Sequence, residues 1–438
     1  MRFAPFPVLL VPAALLVAVL ASTGLPAQQP PDPTDLPSKP FFVKSTWVIG
    51  GSGGWDSLTM DAQSHRLFIA HGAAVQVVDT ETGQLAGAVG HLGEAHAIAL
   101  DTNGQFGYIS DGRANQVKIF DRGTLQVIAS IPVGSSPRAL VFEPQTETLF
   151  VFGPEQASSV QAGAQSGSPA ASANRNAGPG PCGTRNGNPI QQSLVSLIDT
   201  EKRSRVAEIE ICGAVAGAAA DADGQVYFNL SSLDEIARVS ATDILELAKD
   251  RQSNAKPAGN SAATPYPLID WRNVTAQHTL RKASPNPQLT LIGVAPDCRE
   301  PTGLTIDTHN QQLFASCGNQ RMVVVDAGSG SLVTSIPIGA GAEEIAYDSE
   351  RNLLFSANGA GTGTLTVIRQ TIPDSYAVVQ TLPTRANART AVVDPATGRV
   401  YVVTVLSGMK VDNPPANGIG KLNINPIEAS FQVLVIGN

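Results

Sequence analysis

Short apolar runs separated by turn sequences recur along the chain, and residues 98–134 show the unit most clearly. Their sequence, IALDTNGQFGYISDGRANQVKIFDRGTLQVIASIPVG, contains four apolar runs separated by turns rich in Gly, Asn and Asp. Four short strands in roughly 40 residues are typical of one blade of a β-propeller, provided that the unit repeats.

The unit repeats seven times when each copy is aligned on the acidic residue that ends its first strand. Successive copies are 40, 42, 78, 86, 41 and 46 residues apart, and each of the two long gaps contains an insertion. The pattern predicts an all-β fold, a seven-bladed β-propeller of four-stranded antiparallel blades. The aligned residues are Asp61, Asp101, Glu143, Asp221, Asp307, Asp348 and Asp394.

The two ends of the chain complement each other. The last copy lacks a fourth strand, whereas residues 45–51, STWVIGG, form an additional apolar run before the first copy. An N-terminal strand that joins the last blade would close the ring and cover exposed sheet edges. We therefore assign residues 45–438 to the propeller.

Two insertions interrupt the repeats, residues 153–191 in blade 3 and residues 244–288 in blade 4. The first is rich in Ser, Ala, Gly and Asn, and we expect it to be flexible. The second contains the apolar stretch LIDW at residues 268–271. We expect this stretch to cover the rim of the propeller, and the alternative is a docking site for a partner.

The blades also resemble a known bacterial family. Second strands such as GYISD, LFSAN and VYVVT are followed by third strands of the form V-x-[VI]-[ILF]-D and then by SIPVG-xx-PR. This pattern resembles the YVTN-repeat, or YncE-like, propellers over residues 45–438 outside the insertions. The resemblance implies an exported seven-bladed propeller, and because the family includes several activities, it implies no particular chemistry.

The N-terminus has the pattern of an export signal. Arg2 precedes an apolar run at residues 8–20, and cleavage is plausible after Ala21 or Ala27. We assign residues 1–27 to a signal peptide and residues 28–44 to a Pro-rich linker. An uncleaved anchor is the alternative, but the run is short for a span of about 20 residues. We expect a periplasmic or secreted protein without a stable membrane anchor after cleavage.

Charge argues against some partners. Only 15% of residues are charged, the net charge is −8, and Lys and Arg are scattered without a basic stripe. Binding to nucleic acid depends on such clustered positive charge, so we expect no nucleic acid partner. We expect a monomer whose partner is an envelope protein, a glycan or a small polar ligand.

The four cysteines are expected to form two disulfides on one face of the propeller. Cys212 and Cys298 lie in connections between one blade and the next, whereas Cys182 and Cys317 lie between second and third strands. Both kinds of connection emerge on the same face, which favours the pairs Cys182–Cys212 and Cys298–Cys317. A metal site or a reactive thiol is the alternative, but there is no CxxC spacing.

Candidate ligand-binding residues occur five positions before each aligned acidic residue, where the first strands begin around the central channel. Most of them can carry charge, and Arg138 and Arg389 suit contacts with carboxylate or phosphate groups. The alternative is that these groups are solvated or pair with one another. The ring consists of Asp56, His96, Arg138, Ala216, Thr302, Glu343 and Arg389, with Glu344 adjacent.

A second candidate cluster lies between blades 1 and 2, where His71, His91 and His96 map to one quadrant with Asp111 nearby. Two histidines and a carboxylate are a common ligand set for a divalent metal ion such as Zn²⁺ or Fe²⁺. No motif of fixed spacing supports this set of metal ligands. One divalent metal ion is the only cofactor for which the sequence offers candidate ligands.

Two functions remain open from the sequence. We favour a non-catalytic scaffold of the cell envelope that binds a ligand or protein through its top face and central channel. The alternative is a metal-dependent, lactonase-like hydrolase or lyase with its site at the channel mouth. There His96 or Glu343 would act as the general base and Arg138 would steer an anionic substrate. The catalytic residues of such an enzyme are otherwise unknown.

Overall fold

A computed structural model describes residues 39–154, 182–254, 266–272, 289–411, 422–427 and 429–438. The predicted signal peptide and most of the linker lie outside the described residues, as do residues 155–181, 255–265 and 273–288 of the two insertions. No helix in the described part of the chain is long and apolar enough to cross a membrane.

Seven antiparallel sheets form the ring, as the repeats predict. In blades 1 to 3 the chain runs from the first to the fourth strand of each sheet. The strands are Trp55–Asp61, Arg66–His71, Ala74–Asp79 and Leu85–Val89 in blade 1; Ala95–Leu100, Phe106–Asp111, Gln116–Asp121 and Val127–Pro132 in blade 2; and Ala139–Glu143, Thr148–Pro154, Gln192–Asp199 and Ser204–Cys212 in blade 3.

Blades 4 to 6 repeat this order. Their strands are Val215–Ala220, Gln225–Leu230, Glu235–Ser240 and Leu289–Gly293 in blade 4; Pro301–Asp307, Gln312–Cys317, Arg321–Asp326 and Leu332–Pro337 in blade 5; and Ala342–Asp348, Leu353–Asn358, Thr364–Ile372 and Ser375–Pro383 in blade 6.

Blade 7 combines both ends of the chain. Its first three strands are Ala391–Asp394, Arg399–Thr404 and Gln432–Gly437, and its fourth is the N-terminal strand Phe42–Val48, antiparallel to Gln432–Gly437. The predicted closure is therefore confirmed. The closing strand begins at Phe42, however, inside the region assigned to the linker, because Phe42 and Val43 pair with Gly437 and Ile436. A hairpin of Ser407–Val411 and Leu422–Pro426 follows the second strand.

The aligned acidic residues have a local structural role. All seven are between 0% and 9% exposed, and their carboxylates accept hydrogen bonds from backbone N–H groups of the turn that follows the first strand. In blade 6, for example, Asp348 accepts from the N–H groups of Glu350 and Arg351, both at 3.1 Å. Carboxylates that satisfy turn donors explain why the motif recurs at this position.

Apolar contacts between neighbouring blades hold the ring together. The ring of Phe68 in blade 1 lies 5.7 Å from that of Phe120 in blade 2, and Phe152 in blade 3 lies 5.1 Å from Phe228 in blade 4. Each blade therefore buries both of its faces against neighbours, which is why second and third strands are almost continuously apolar.

The described parts of the insertions pack against the propeller. A helix, Ala241–Asn254, follows the third strand of blade 4, and Leu268–Asp270 pairs in parallel with the fourth strand of blade 3 as a fifth strand. Ile269 and Trp271 are buried, so this stretch covers a blade edge as the sequence predicts. In the first insertion, Thr184–Arg185 and Asn188–Pro189 form a small hairpin.

Candidate functional site

Residues in or directly before the first strands of all seven blades line one cavity of about 520 Å³ at the centre of the ring. This volume lies within the range of about 300–1,000 Å³ that is common for small-molecule sites. The lining includes all but one of the predicted ring residues together with Glu344: Asp56, Arg138, Ala216, Thr302, Glu343, Glu344 and Arg389.

In blades 1, 4, 5 and 6 a β-bulge places the lining side chains in the channel. The pairing of first and second strands is interrupted in five blades just where the ring residues lie, for example between Ala342 and Ile345 in blade 6. A bulge changes the direction in which side chains point, and here it brings the consecutive residues Glu343 and Glu344 to the same cavity.

Close contacts between blades hold the bulges in place. A side chain at Gly303 would place its Cβ 2.6 Å from the carbonyl oxygen of Glu343, so only glycine permits this approach. The buried hydroxyl of Ser316 accepts a hydrogen bond from the Gly303 N–H at 2.9 Å. In blade 2, the buried hydroxyl of Ser110 donates to the Arg138 carbonyl at 3.2 Å. These second-strand serines were missed from the sequence, although their recurrence before Asp111 and Cys317 was visible there.

Carboxylates collect on the side of the channel formed by blades 6, 7 and 1. The Nε of Arg389 lies 2.6 Å from Oε2 of Glu343, and the Arg389 guanidinium carbon lies 5.3 Å from the ring of Trp55. The Glu343 side chain is 46% exposed and lines the cavity. Desolvation raises the pKa of Glu343, and the charge of Asp56 adds to the effect, while Arg389 opposes it.

Glu344 is the more strongly perturbed carboxyl group. Burial, together with the negative charges of Asp56 and Glu343, raises the pKa of Glu344 well above its ordinary value. Its Oε2 is buried without a hydrogen-bond partner among the described residues, and so is the hydroxyl of the neighbouring Thr390, which also lines the cavity. Thr390 is not recognisable from the sequence, because a lone threonine carries no distinguishing pattern.

His96 lies behind Asp56 and does not line the cavity. Its side chain is 6% exposed, and its Nδ1 lies 2.9 Å from Oδ2 of Asp56. The Nε2 atom is buried, 4.0 Å from a carboxylate oxygen of Glu94. His96 therefore orients Asp56, and this geometry does not present it to a channel ligand as the general base of the enzyme hypothesis.

The proposed metal ligands do not converge. Asp111 accepts hydrogen bonds from the backbone N–H groups of Gly93 and Glu94, and Nδ1 of His71 lies 2.8 Å from Oε1 of Gln76. His91 is exposed in a turn with a positive φ of 62°. Over the described ranges, no three His, Cys, Asp or Glu side chains form a group that could hold a metal ion. Asp111 thus serves to hold the loop that carries His91 and Glu94.

Both predicted disulfides are present, Cys182–Cys212 and Cys298–Cys317, on the face where the channel opens. Asp234 joins the two disulfide-bonded loops: its Oδ2 lies 2.8 Å from Nη2 of Arg185 and 2.7 Å from Nη1 of Arg299. Disulfides are typical of oxidising, extracytoplasmic compartments.

Comparison with known proteins establishes the fold. No protein-family model and no curated protein matches the chain. Among solved structures it is similar to hydrazine synthase of Kuenenia stuttgartiensis, with a TM-score of 0.54 and 13% identity over 82% of this chain and 95% of that chain. It is also similar to U3-55K, with a TM-score of 0.57 and 8% identity over 90% and 98% of the chains. The WD40 repeats of RRP9 match with a TM-score of 0.58 and 9% identity over 93% and 99%. At such low identity these matches show the propeller fold alone.

Proposed function

We propose that this protein is an exported member of the YVTN-repeat, YncE-like propellers and acts as a binding scaffold that holds a small polar ligand at its channel. The observation that carries the proposal is the cavity of about 520 Å³, to which all seven blades contribute and into which charged groups of both signs project. Charged side chains that are carried by paired strands or lie directly before them form a pre-organised binding site.

Export is supported by two independent features. The first 27 residues match the pattern of a signal peptide, and all four cysteines of the chain form disulfides. Expression of the full chain in a Gram-negative host should give an oxidised periplasmic protein whose N-terminus, read by mass spectrometry, follows Ala21 or Ala27. Recovery of the uncleaved, reduced chain from the cytoplasm would contradict export.

Channel binding can be tested with a variant that fills the cavity and leaves its charges unchanged. Ala216 is exposed to the channel, so Ala216→Trp should block the cavity without disturbing the core. The matched control is Ala114→Trp, at an exposed alanine of a turn outside the cavity lining.

The melting temperatures of the wild type and of both variants would be measured in the presence of each compound of a library. The library would contain amino acids, peptides, sugars, organic acids and polyamines. The proposal predicts a compound that raises the melting temperature of the wild type and of Ala114→Trp but not that of Ala216→Trp. If every stabilising compound acts equally on all three proteins, or if none stabilises the wild type, the channel is not a binding site.

A further inference from the structure

The charges of the channel are separated across it. Arg138 is contributed by blade 3, whereas Asp56, Glu343, Glu344 and Arg389 come from the neighbouring blades 1, 6 and 7. In a ring of seven blades, blade 3 faces the junction of blades 6 and 7. The cavity therefore has a positive wall at Arg138 and, opposite to it, a wall where carboxylates outnumber the single guanidinium.

Arg138 is available to a ligand. Its side chain is exposed, lines the cavity, and has no hydrogen-bond or ion-pair partner in the ranges that the structure describes. Its backbone is held in place, since its N–H donates to the Phe152 carbonyl at 2.8 Å. A guanidinium in this setting suits two-point contact with a carboxylate or phosphate group.

The opposite wall retains carboxyl groups that are not used by its internal pairing. Arg389 pairs with Glu343. Among the residues that the structure describes, the carboxyl groups of Asp56 and Glu344 have no ion-pair partner apart from His96 beside Asp56. Two buried oxygens on this wall, Oε2 of Glu344 and the hydroxyl of Thr390, have no hydrogen-bond partner among the described residues. Such oxygens gain from a ligand that brings N–H donors.

We infer that the channel ligand is a small zwitterion, such as an amino acid or short peptide, whose anionic group binds Arg138 and whose ammonium group binds Asp56 and Glu344. This inference rests on the proposed function and specifies its ligand class. A simple anion would leave the carboxylates of blades 1 and 6 unsatisfied, and a simple cation would leave Arg138 unsatisfied. Only a molecule with both charges complements both walls.

Isothermal titration calorimetry with a series of simple probes can test the inference. The zwitterions would be glycine, 4-aminobutyrate, 6-aminohexanoate and 8-aminooctanoate, in which the two charges are progressively further apart. Hexanoate and hexylamine carry one charge each. We expect one of the zwitterions to bind about tenfold or more tightly than either singly charged probe, because charged hydrogen bonds are made at both ends. The preferred chain length would report the separation of the two walls.

Substitutions in the channel can show which protein group binds each end of the ligand. Arg138→Met and Glu344→Gln should each weaken zwitterion binding by about tenfold to a hundredfold. Arg138→Met should abolish any weak binding of hexanoate, and Glu344→Gln should weaken any binding of hexylamine, for which Asp56 remains. The matched controls, Arg113→Met and Glu81→Gln, change exposed residues outside the cavity lining and should bind as the wild type does.

The outcomes distinguish this inference from the proposed function. If hexanoate binds as tightly as the best zwitterion and depends on Arg138 alone, the channel binds ligands but the zwitterion class is wrong. The zwitterion class is also wrong if no probe binds and the library yields an uncharged ligand whose binding is lost in Ala216→Trp. If no compound in either screen depends on the channel, both proposals fail.

Discussion

The side-chain amide of Gln380 holds both backbone groups of Phe41: its Oε1 accepts a hydrogen bond from the Phe41 N–H, and its Nε2 donates one to the Phe41 carbonyl, each at 2.8 Å. Gln380 belongs to the fourth strand of blade 6, and Phe41 directly precedes the closing strand of blade 7. The Phe41 ring is buried, 5.3 Å from that of Phe355. The N-terminal segment is therefore attached to two blades.

Loss of this amide should loosen the closure of the ring. Gln380→Ala removes two hydrogen bonds, each of which contributes about 1 kcal/mol, and we expect the free energy of unfolding in urea to fall by about 1–3 kcal/mol. Gln126→Ala, at an exposed glutamine, is the control and should change stability by less than about 0.5 kcal/mol. Equal effects of the two substitutions would show that the contact with Phe41 does not contribute.

Arg122 neutralises two buried carboxylates at the junction of blades 1 and 2. Its guanidinium pairs with Asp61, and its Nη1 lies 3.3 Å from Oδ1 of Asp101. Burial opposes ionisation of Asp61, but hydrogen bonds from Arg122 and Ser64 outweigh it and hold the pKa of Asp61 below its usual value. The pair of Arg122 and Asp61 therefore contributes to the free energy of unfolding above pH ~3.9, the pKa of an aspartate in the unfolded chain. This contribution is lost as the pH falls through the pKa that Asp61 has in the folded protein.

Removal of Arg122 should be strongly destabilising at neutral pH. Arg122→Met leaves two carboxylates buried without their cation, and we expect the free energy of unfolding to fall by about 3–5 kcal/mol. The control, Lys202→Met, breaks an exposed pair with Asp199 that solvent screens, so it should lower stability much less than Arg122→Met does. Addition of Asp61→Asn to Arg122→Met should restore part of the loss, and no restoration would argue against an electrostatic cause.

The protein should be more stable when the carboxyl group of Glu344 is uncharged than when it is charged. Because its pKa is raised in the folded state, stability is greatest below the unfolded pKa of about 4.3 and falls as the pH rises towards the folded pKa. We expect Glu344→Gln to melt at a higher temperature than the wild type at pH 8 and at a similar temperature at pH 4. The control Glu81→Gln should show no such dependence. A difference that is equal at both pH values would mean that packing, and not charge, is responsible.

The disulfide between Cys298 and Cys317 should stabilise the folded protein, because it restricts the conformations of the unfolded chain. For a sequence separation of 19 residues, chain entropy predicts a contribution of about 3 kcal/mol. The double variant Cys298→Ala/Cys317→Ala should show this loss in urea unfolding, since both side chains are buried and alanine adds no polar atom. Addition of dithiothreitol should lower the stability of the double variant less than that of the wild type, because only the disulfide Cys182–Cys212 remains to be reduced. Equal losses would contradict a contribution from this bond.

The sequence by itself determined the features that repeat locally. Apolar periodicity and a turn-capping carboxylate occur in every blade, so Asp61 and its six equivalents revealed the number of blades before any contact between blades was known. Topology then determined the disulfide pairs, because chain connections alternate between two faces. The sequence places the start of the closing strand three residues too late, at Ser45, because Phe42 and Val43 closely follow a Pro-rich stretch.

Only the tertiary structure decided how the blades meet. His96 and Asp56 occupy the same position of adjacent blades, yet Asp56 lines the cavity whereas His96 lies behind it, with its Nδ1 2.9 Å from Oδ2 of Asp56. No local pattern in the sequence distinguishes these two positions. The pairing of Arg389 with Glu343 and not with the adjacent Glu344 likewise depends on side-chain geometry across two blades. Repeated local interactions are encoded in each blade, whereas the charge distribution of the channel arises only when the seven blades close into a ring.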